Sequence, residues 1–237
     1  MKLSAPIYLL KRRARAISCG EGIALNKALD RIAQEEGFGS WSLVAAKASV
    51  VPASSELLAQ LVPGDLVLLG ARPGHGKTMM GLKLIVDAMK LGRRGVFFTL
   101  EFNSDEVLSR YKTVGGDSAF LGNLFDFDCS DAINANYIMD RLADAQSGTL
   151  VVVDFLQLLD QKRSNPQLME QVSALKSFAG DKGLIIVFIS QIDRSYDASA
   201  KPCPDLSDVR LPNPLDLTLF DKSCFLNNGK VHIQPVA

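Results

Sequence analysis

Four stretches of this 237-residue chain carry residue types that can act on a phosphate ester. In Ala71-Arg72-Pro73-Gly74-His75-Gly76-Lys77-Thr78, followed by Met79, small residues let backbone N–H groups curl around a phosphate. Lys77 can reach the terminal phosphates, and the Thr78 hydroxyl can ligate magnesium. The strict pattern begins with glycine; here that position is Ala71. Val151-Val152-Val153-Asp154 is an apolar run ending in a carboxylate, the arrangement that holds a magnesium shell. Glu101 ends Val96-Phe97-Phe98-Thr99-Leu100, where a carboxylate could orient or deprotonate an attacking water. Gln191 closes another apolar run and could sense a terminal phosphate, with Arg194 a short loop further on.

These residues need a frame that brings them to one edge. Apolar runs over 66–70, 95–101, 150–155 and 184–190 read as strands, and their continuity implies a sheet covered on both faces. Helical periodicity over 77–90, 105–114, 134–145 and 166–181 falls between or after them, the βαβ alternation of a parallel sheet. In such a sheet ligands bind at the carboxyl ends of the strands, where Lys77, Glu101, Asp154 and Gln191 all fall. The end differs: 217–226 and 230–236 flank Asn227-Asn228-Gly229, a hairpin signal. The expected fold is therefore α/β, with a mostly parallel central sheet and a C-terminal β-hairpin.

A small helical module precedes it. Residues 8–17 are basic and amphipathic, 24–36 repeat every 3.6 residues, and 40–47 form a third short helix. A boundary near Val51-Pro52-Ala53-Ser54-Ser55 divides the chain into residues 1–50, the module, and 51–237, the α/β domain. Trp41 belongs to the core of the module. Up to residue 49 there are eight Lys or Arg against four Asp or Glu. The whole chain balances at 26 of each, so the α/β domain is net acidic by the same margin. Net charge thus gives no whole-chain case for nucleic acid. Cys19, Cys129, Cys203 and Cys224 are scattered without paired spacing, and His75 and His232 are the only histidines, which argues against zinc and against a disulfide framework. No apolar run approaches the roughly 20 residues needed to span a bilayer, and the first residues do not form a signal peptide, so a cytoplasmic setting is expected.

In order along the chain, A-R-P-G-H-G-K-T, F-T-L-E at residues 98–101, V-V-D-F-L-Q-L-L at 152–159, I-S-Q-I-D-R at 189–194 and L-S-D-V-R at 206–210 resemble the RecA-like P-loop ATPase domain of the DnaB-type replicative helicases. An alanine start followed by Arg-Pro is itself typical of that family, and the similarity runs from about Ser55 to the end. The resemblance implies ATP and Mg²⁺ as ligands, with residues 72–79 around the phosphates, Lys77 and Thr78 at phosphate and metal, Asp154 at the metal, Glu101 as the catalytic carboxylate and Gln191 at the γ-phosphate. It also implies a homo-oligomer acting on single-stranded DNA in replication.

Departures from the family pattern raise a rival expectation. The family's Lys-x-Arg-Asn-Gly segment, which delivers a cation to a neighbour's ATP, is replaced by Phe225-Leu226-Asn227-Asn228-Gly229; Lys222 and Lys230 flank the gap. The tract from Leu211 to Pro214 is short, and the module does not match the family's larger amino-terminal domain. Such a chain could instead be a nucleotide-gated regulatory or interaction ATPase without unwinding activity. In the loops expected to face DNA, Lys162, Arg163 and Lys201 could track a phosphate backbone, and Tyr196 could offer a stacking surface. The basic face of Lys11, Arg12, Arg13 and Arg15 could dock on an acidic partner or on DNA.

Overall fold

The structure is a computed structural model that describes residue 4 and residues 7–159, 162, 165–197, 201, 203–211, 213–227 and 230–236. Seven strands form one sheet: β1 (Leu66–Ala71), β2 (Gly95–Thr99), β3 (Phe125–Asp128), β4 (Leu150–Asp154), β5 (Ile185–Gln191), β6 (Lys222–Asn227) and β7 (Lys230–Pro235). Their order is β3-β2-β4-β5-β1-β6-β7. All neighbours are parallel except β6 and β7, which pair antiparallel. Asn228 and Gly229, expected to form the hairpin turn, lie outside the described residues; β6 and β7 pair with Asn227 opposite Lys230.

Alternation along each strand divides the core between the two faces of the sheet. Val67, Leu69, Phe97, Val152, Val187 and Ile189 face α3 (Trp41–Leu58), α4 (Lys77–Lys90) and α5 (Ser104–Thr113). Leu66, Leu68, Phe98, Val151, Val153 and Phe188 face α6 (Ala135–Arg141) and α7 (Leu168–Lys182). The continuous apolar runs are thus strands buried on both sides. Gly81 lets α4 lie close on the sheet: a Cβ there would sit 2.8 Å from a Val152 methyl and 3.1 Å from Ile189.

The strand ends align. Ala71 pairs with Gln191, and Thr99 pairs with Asp154, which pairs in turn with Ile189. That alignment sets four motifs, distant in sequence, along one edge.

Three elements differ from the sequence expectation. β3 is a short edge strand alternating Phe and Asp, four residues that carry no long apolar run. The strand expected from residue 217 begins only at Lys222, after a 3₁₀ turn over Leu217–Leu219. The third helix does not stop at residue 47. It continues through the expected boundary to Leu58, because Ser54, Leu57 and Leu58 are buried and the last two pack into the core that α4 shares. Its first half closes the amino-terminal module with α1 (Ile7–Glu21) and α2 (Leu25–Glu35), around Leu10, Ala14, Ala28, Ile32 and Val44, with Trp41 packed at the side.

A buried polar cluster fastens α3 to α4. Asp87 accepts hydrogen bonds from Ser54 at 2.7 Å and Ser55 at 3.3 Å, and it pairs with Lys83 and Lys90. Lys83 and Asp87 are both buried, so each charge depends on the other. Burial holds the Lys83 ammonium below its ordinary range, opposed by Asp87.

Candidate functional site

Residues 72–76 connect β1 to α4. Gly74 has φ +78° and Gly76, the N-cap of α4, has φ +84°, a left-handed conformation that favours glycine. The loop is further braced by the His75 N–H on the Arg72 carbonyl at 3.1 Å. Ala71 is the last residue of β1, fully buried and paired on both sides. It belongs to the sheet and not to the turn, which is the physical reason a side chain is accommodated where the strict motif has glycine.

At the head of α4, Lys77, Thr78 and Met79 are buried. The Lys77 ammonium lies 5.9 Å from the centroid of the Phe155 ring and makes no salt bridge among the described residues. Thr78 Oγ1 donates to Asp154 Oδ2 at 2.7 Å, while Asp154 Oδ1, equally buried, has no partner among the described residues. Burial is the main influence on this carboxyl and pushes its pKa up to about 6; the Thr78 hydrogen bond and the Lys77 charge oppose that, Glu101 reinforces it, and Arg110 opposes it. A buried carboxylate with a free oxygen beside a hydroxyl is a hard-oxygen donor set that fits a small divalent cation.

Glu101 is exposed two residues beyond β2. The Thr99 hydroxyl accepts the N–H groups of Glu101 at 3.1 Å and Phe102 at 3.3 Å, turning the chain at the strand end. From there Glu101 acts on Asp154 electrostatically. Gln191 ends β5 next to Ala71, half-buried, with its carbonyl held by the Arg210 N–H at 2.9 Å. Lys77, Thr78, Asp154, Glu101 and Gln191 thus lie along one sheet edge, and Arg72, Pro73 and His75 line a cavity of about 540 Å³ with Ile192, Asp193 and Arg194 beside it.

Arg110 escaped the sequence reading. Its guanidinium stacks 3.8 Å above the centroid of the Phe102 ring and contributes to the field at Asp154. Nothing in its local pattern marks it; only the approach of α5 to the strand ends does.

The charges expected to meet DNA are largely engaged. Lys201 pairs with Asp205 and Asp208, each at 2.6 Å. Lys162 is exposed and donates to the Asp131 carbonyl. Arg163 lies outside the described residues. Tyr196 is 5% exposed, and its hydroxyl donates to the Lys201 carbonyl, so it presents no stacking face. Phe225, Leu226 and Asn227, where the family finger would stand, are buried. Lys222 begins β6 opposite Val67 and binds Asp65, at the far end of the sheet from the phosphate loop; it cannot stand in for that finger. Lys230 is at the near end, paired with Asn227. On α1, Arg13 pairs with Glu35 at 2.8 Å, while Lys11, Arg12 and Arg15 remain exposed.

Residues 125–214 match the family model for the DnaB-like helicase C terminal domain. Over that stretch the α/β domain is similar to that family. The chain is 25% identical over 198 residues to the replicative DNA helicase DnaB of Mycoplasma genitalium, covering 67% of this chain and 42% of the relative. It is 24% identical over 211 residues to a probable plasmid replicative DNA helicase of Chlamydia trachomatis, covering 72% and 47%. The chain therefore spans less than half the length of these curated relatives. Among solved structures, one ATPase domain superposes with a TM-score of 0.57 at 18% identity, covering 74% of each chain. A DnaB-like replicative helicase, studied with its primase interactions, superposes at 0.58 and 20% identity over 92% of this chain and 66% of that one. The shared fold is RecA-like. None of the described helices is long and apolar enough to cross a membrane.

Proposed function

We propose that this DnaB-like chain binds ATP with Mg²⁺ and hydrolyses it, acting in the cytoplasm as an oligomer on single-stranded DNA during replication. The observation that carries the reading is the Thr78–Asp154 hydrogen bond, which joins the phosphate loop to a buried carboxylate with one oxygen left free. Thr78 and Asp154 would hold the magnesium ion, which when bound neutralises charge on the phosphates. Lys77, desolvated beside Phe155, meets the terminal phosphates. Glu101 orients the attacking water from the end of β2, and Gln191 contacts the γ-phosphate. The backbone of residues 72–76 and the start of α4 cradle the remaining phosphates.

A second reading has one observation in its favour. Phe225 to Asn227 are buried where a projecting cation would complete a neighbour's site, and Lys201 is neutralised within its own loop. On that reading nucleotide controls assembly or partner binding, and no strands separate. ATP turnover with and without single-stranded DNA, together with unwinding of a forked duplex, separates the two. The helicase reading expects DNA-stimulated turnover and unwinding. Turnover that ignores DNA, with no unwinding, overturns it in favour of the second; absence of both turnover and ATP binding overturns both.

A further inference from the structure

Gln157 stands three residues after Asp154, in a 3₁₀ turn over Leu156–Leu158, and is 7% exposed. Its amide nitrogen reaches the hydroxyl of Ser190, a fully buried residue, at 2.7 Å and the Arg210 carbonyl at 2.6 Å. A carbonyl only accepts, so the Arg210 contact fixes which end of the carboxamide points there. The amide oxygen has no partner among the described residues. Gln157 therefore uses both N–H groups to tie together two segments other than its own.

Those segments are the ones that hold Gln191. Ser190 precedes it in β5. Arg210 ends the returning stretch that runs alongside: its N–H binds the Gln191 carbonyl at 2.9 Å, Ile192 bridges Val209, and the Asp193 N–H binds the Asp208 carbonyl at 2.8 Å. Gln191 itself lies against Ala71, the residue before the phosphate loop. One carboxamide thus joins the turn after the metal-side strand, the strand that ends in Gln191, and the returning segment around Arg210.

The geometry points to Gln157 as a positioning residue that sets Gln191 relative to Asp154 and transmits displacement of the segment ending at Arg210 to the nucleotide site. This rests on the ATPase reading above. Gln157 touches no phosphate in that scheme; it acts through Gln191. Breaking the tie leaves nucleotide binding, which depends on the phosphate loop, and weakens the step that needs Gln191 in register.

The test is a double-mutant cycle. Gln157→Met keeps the length of the side chain and removes both donors. Its kcat should fall about tenfold with KM for ATP within about threefold, and Gln157→Met with Gln191→Ala should be no slower than Gln191→Ala alone. A wild-type kcat in Gln157→Met, or losses that multiply in the double variant, overturns the inference. Should Gln157→Met fail to fold, Ser190→Ala removes only one arm of the tie; its smaller kcat loss should likewise vanish in the Gln191→Ala background, and multiplication again overturns the role. Hydrogen exchange reads the linkage without turnover: a non-hydrolysable ATP analogue with Mg²⁺ should slow exchange of the Arg210 amide in the wild type and not in Gln157→Met. Equal responses in the two proteins overturn the inference. This exchange difference between the two proteins, with no turnover in the wild type, refutes the ATPase reading alone.

Discussion

Thr78 and Asp154, separated by 76 positions in sequence, share a 2.7 Å hydrogen bond that leaves one Asp154 oxygen buried and without a partner among the described residues. A buried carboxylate with an unmatched oxygen is costly in the free protein. Asp154→Asn should accordingly raise the stability of metal-free protein at pH 8 while abolishing the response of nucleotide binding to Mg²⁺. Burial has raised the folded-state pKa from 3.8 to about 6. The folded wild type is therefore relatively favoured below the unfolded value and loses that stability as pH rises through about 6. The advantage of the variant should be on the order of 3 kcal/mol at pH 8 and should shrink toward pH 4, as measured by urea unfolding in a chelator. An advantage that grows on acidification would contradict the assignment.

Lys77→Ala tests the phosphate loop directly. Lys77 is buried at the head of α4 with no salt bridge among the described residues, so its charge answers no structural need there. Affinity for a fluorescent ATP analogue should drop at least about tenfold and turnover should disappear, since a charge-assisted contact to phosphate contributes more than a neutral one. Thermal unfolding of the nucleotide-free variant checks that the fold survives. Unchanged affinity and turnover would mean the nucleotide lies elsewhere.

Glu101→Gln separates binding from chemistry. The residue is exposed, and its backbone N–H is tied down on Thr99. Removing its charge should lower kcat by about 10² to 10⁴ while nucleotide affinity stays within a few-fold. Rapid-quench single-turnover measurements beside equilibrium binding distinguish this from loss of the site.

Gly81→Ala probes how closely α4 is seated. Alanine is favoured over glycine in a helix by about 1 kcal/mol. Here its Cβ would lie 2.8 Å from Val152, on the strand that ends in Asp154. Overpacking of that kind costs about 1 to 3 kcal/mol, so a net fall in stability is expected. Denaturant unfolding at neutral pH gives the sign, and a stabilised variant would show that helix and strand can separate freely.

Much of this arrangement is written in short-range patterns. Strands buried on both faces announce themselves as unbroken Val, Ile, Leu and Phe runs, and a glycine turn between strand and helix marks the phosphate loop. Glu101, Asp154 and Gln191 could be placed because each terminates such a run. β3 escaped because Phe-Asp-Phe-Asp is only four residues long and pairs on one side only. Helix α3 was cut short because a Pro-Ala-Ser-Ser tract looks like a linker, whereas Ser54 and Ser55 spend their hydroxyls on Asp87, 33 and 32 residues away. Long-range partners explain the other misses. Lys201 looks available until Asp208 is placed beside it, and Lys222 looks near the hairpin turn until the register puts it opposite Val67.

Asp87→Ala tests the cluster that holds α3 on α4. Removing the carboxylate leaves the Lys83 ammonium buried without its counter-charge. A loss of about 3 to 5 kcal/mol is expected, larger than for any exposed ion pair in the module. Lys83→Met combined with Asp87→Leu should recover most of it, because an apolar pair of similar size avoids desolvation altogether. Equilibrium unfolding of the single and double variants provides the comparison.

An unbroken α3 makes the join between the module and the α/β domain a single rigid element. Its 18 residues span about 27 Å at 1.5 Å per residue, stiff over that length. From the Asp87 fastening at Ser54 to the far end at Trp41 the arm is about 20 Å, so a tilt of one degree there corresponds to about 0.3 Å at the far end and a tilt of ten degrees to about 3 Å. The module packed around the first half of α3 is thus carried on one continuous helix whose second half is fastened to α4, the helix that bears Thr78.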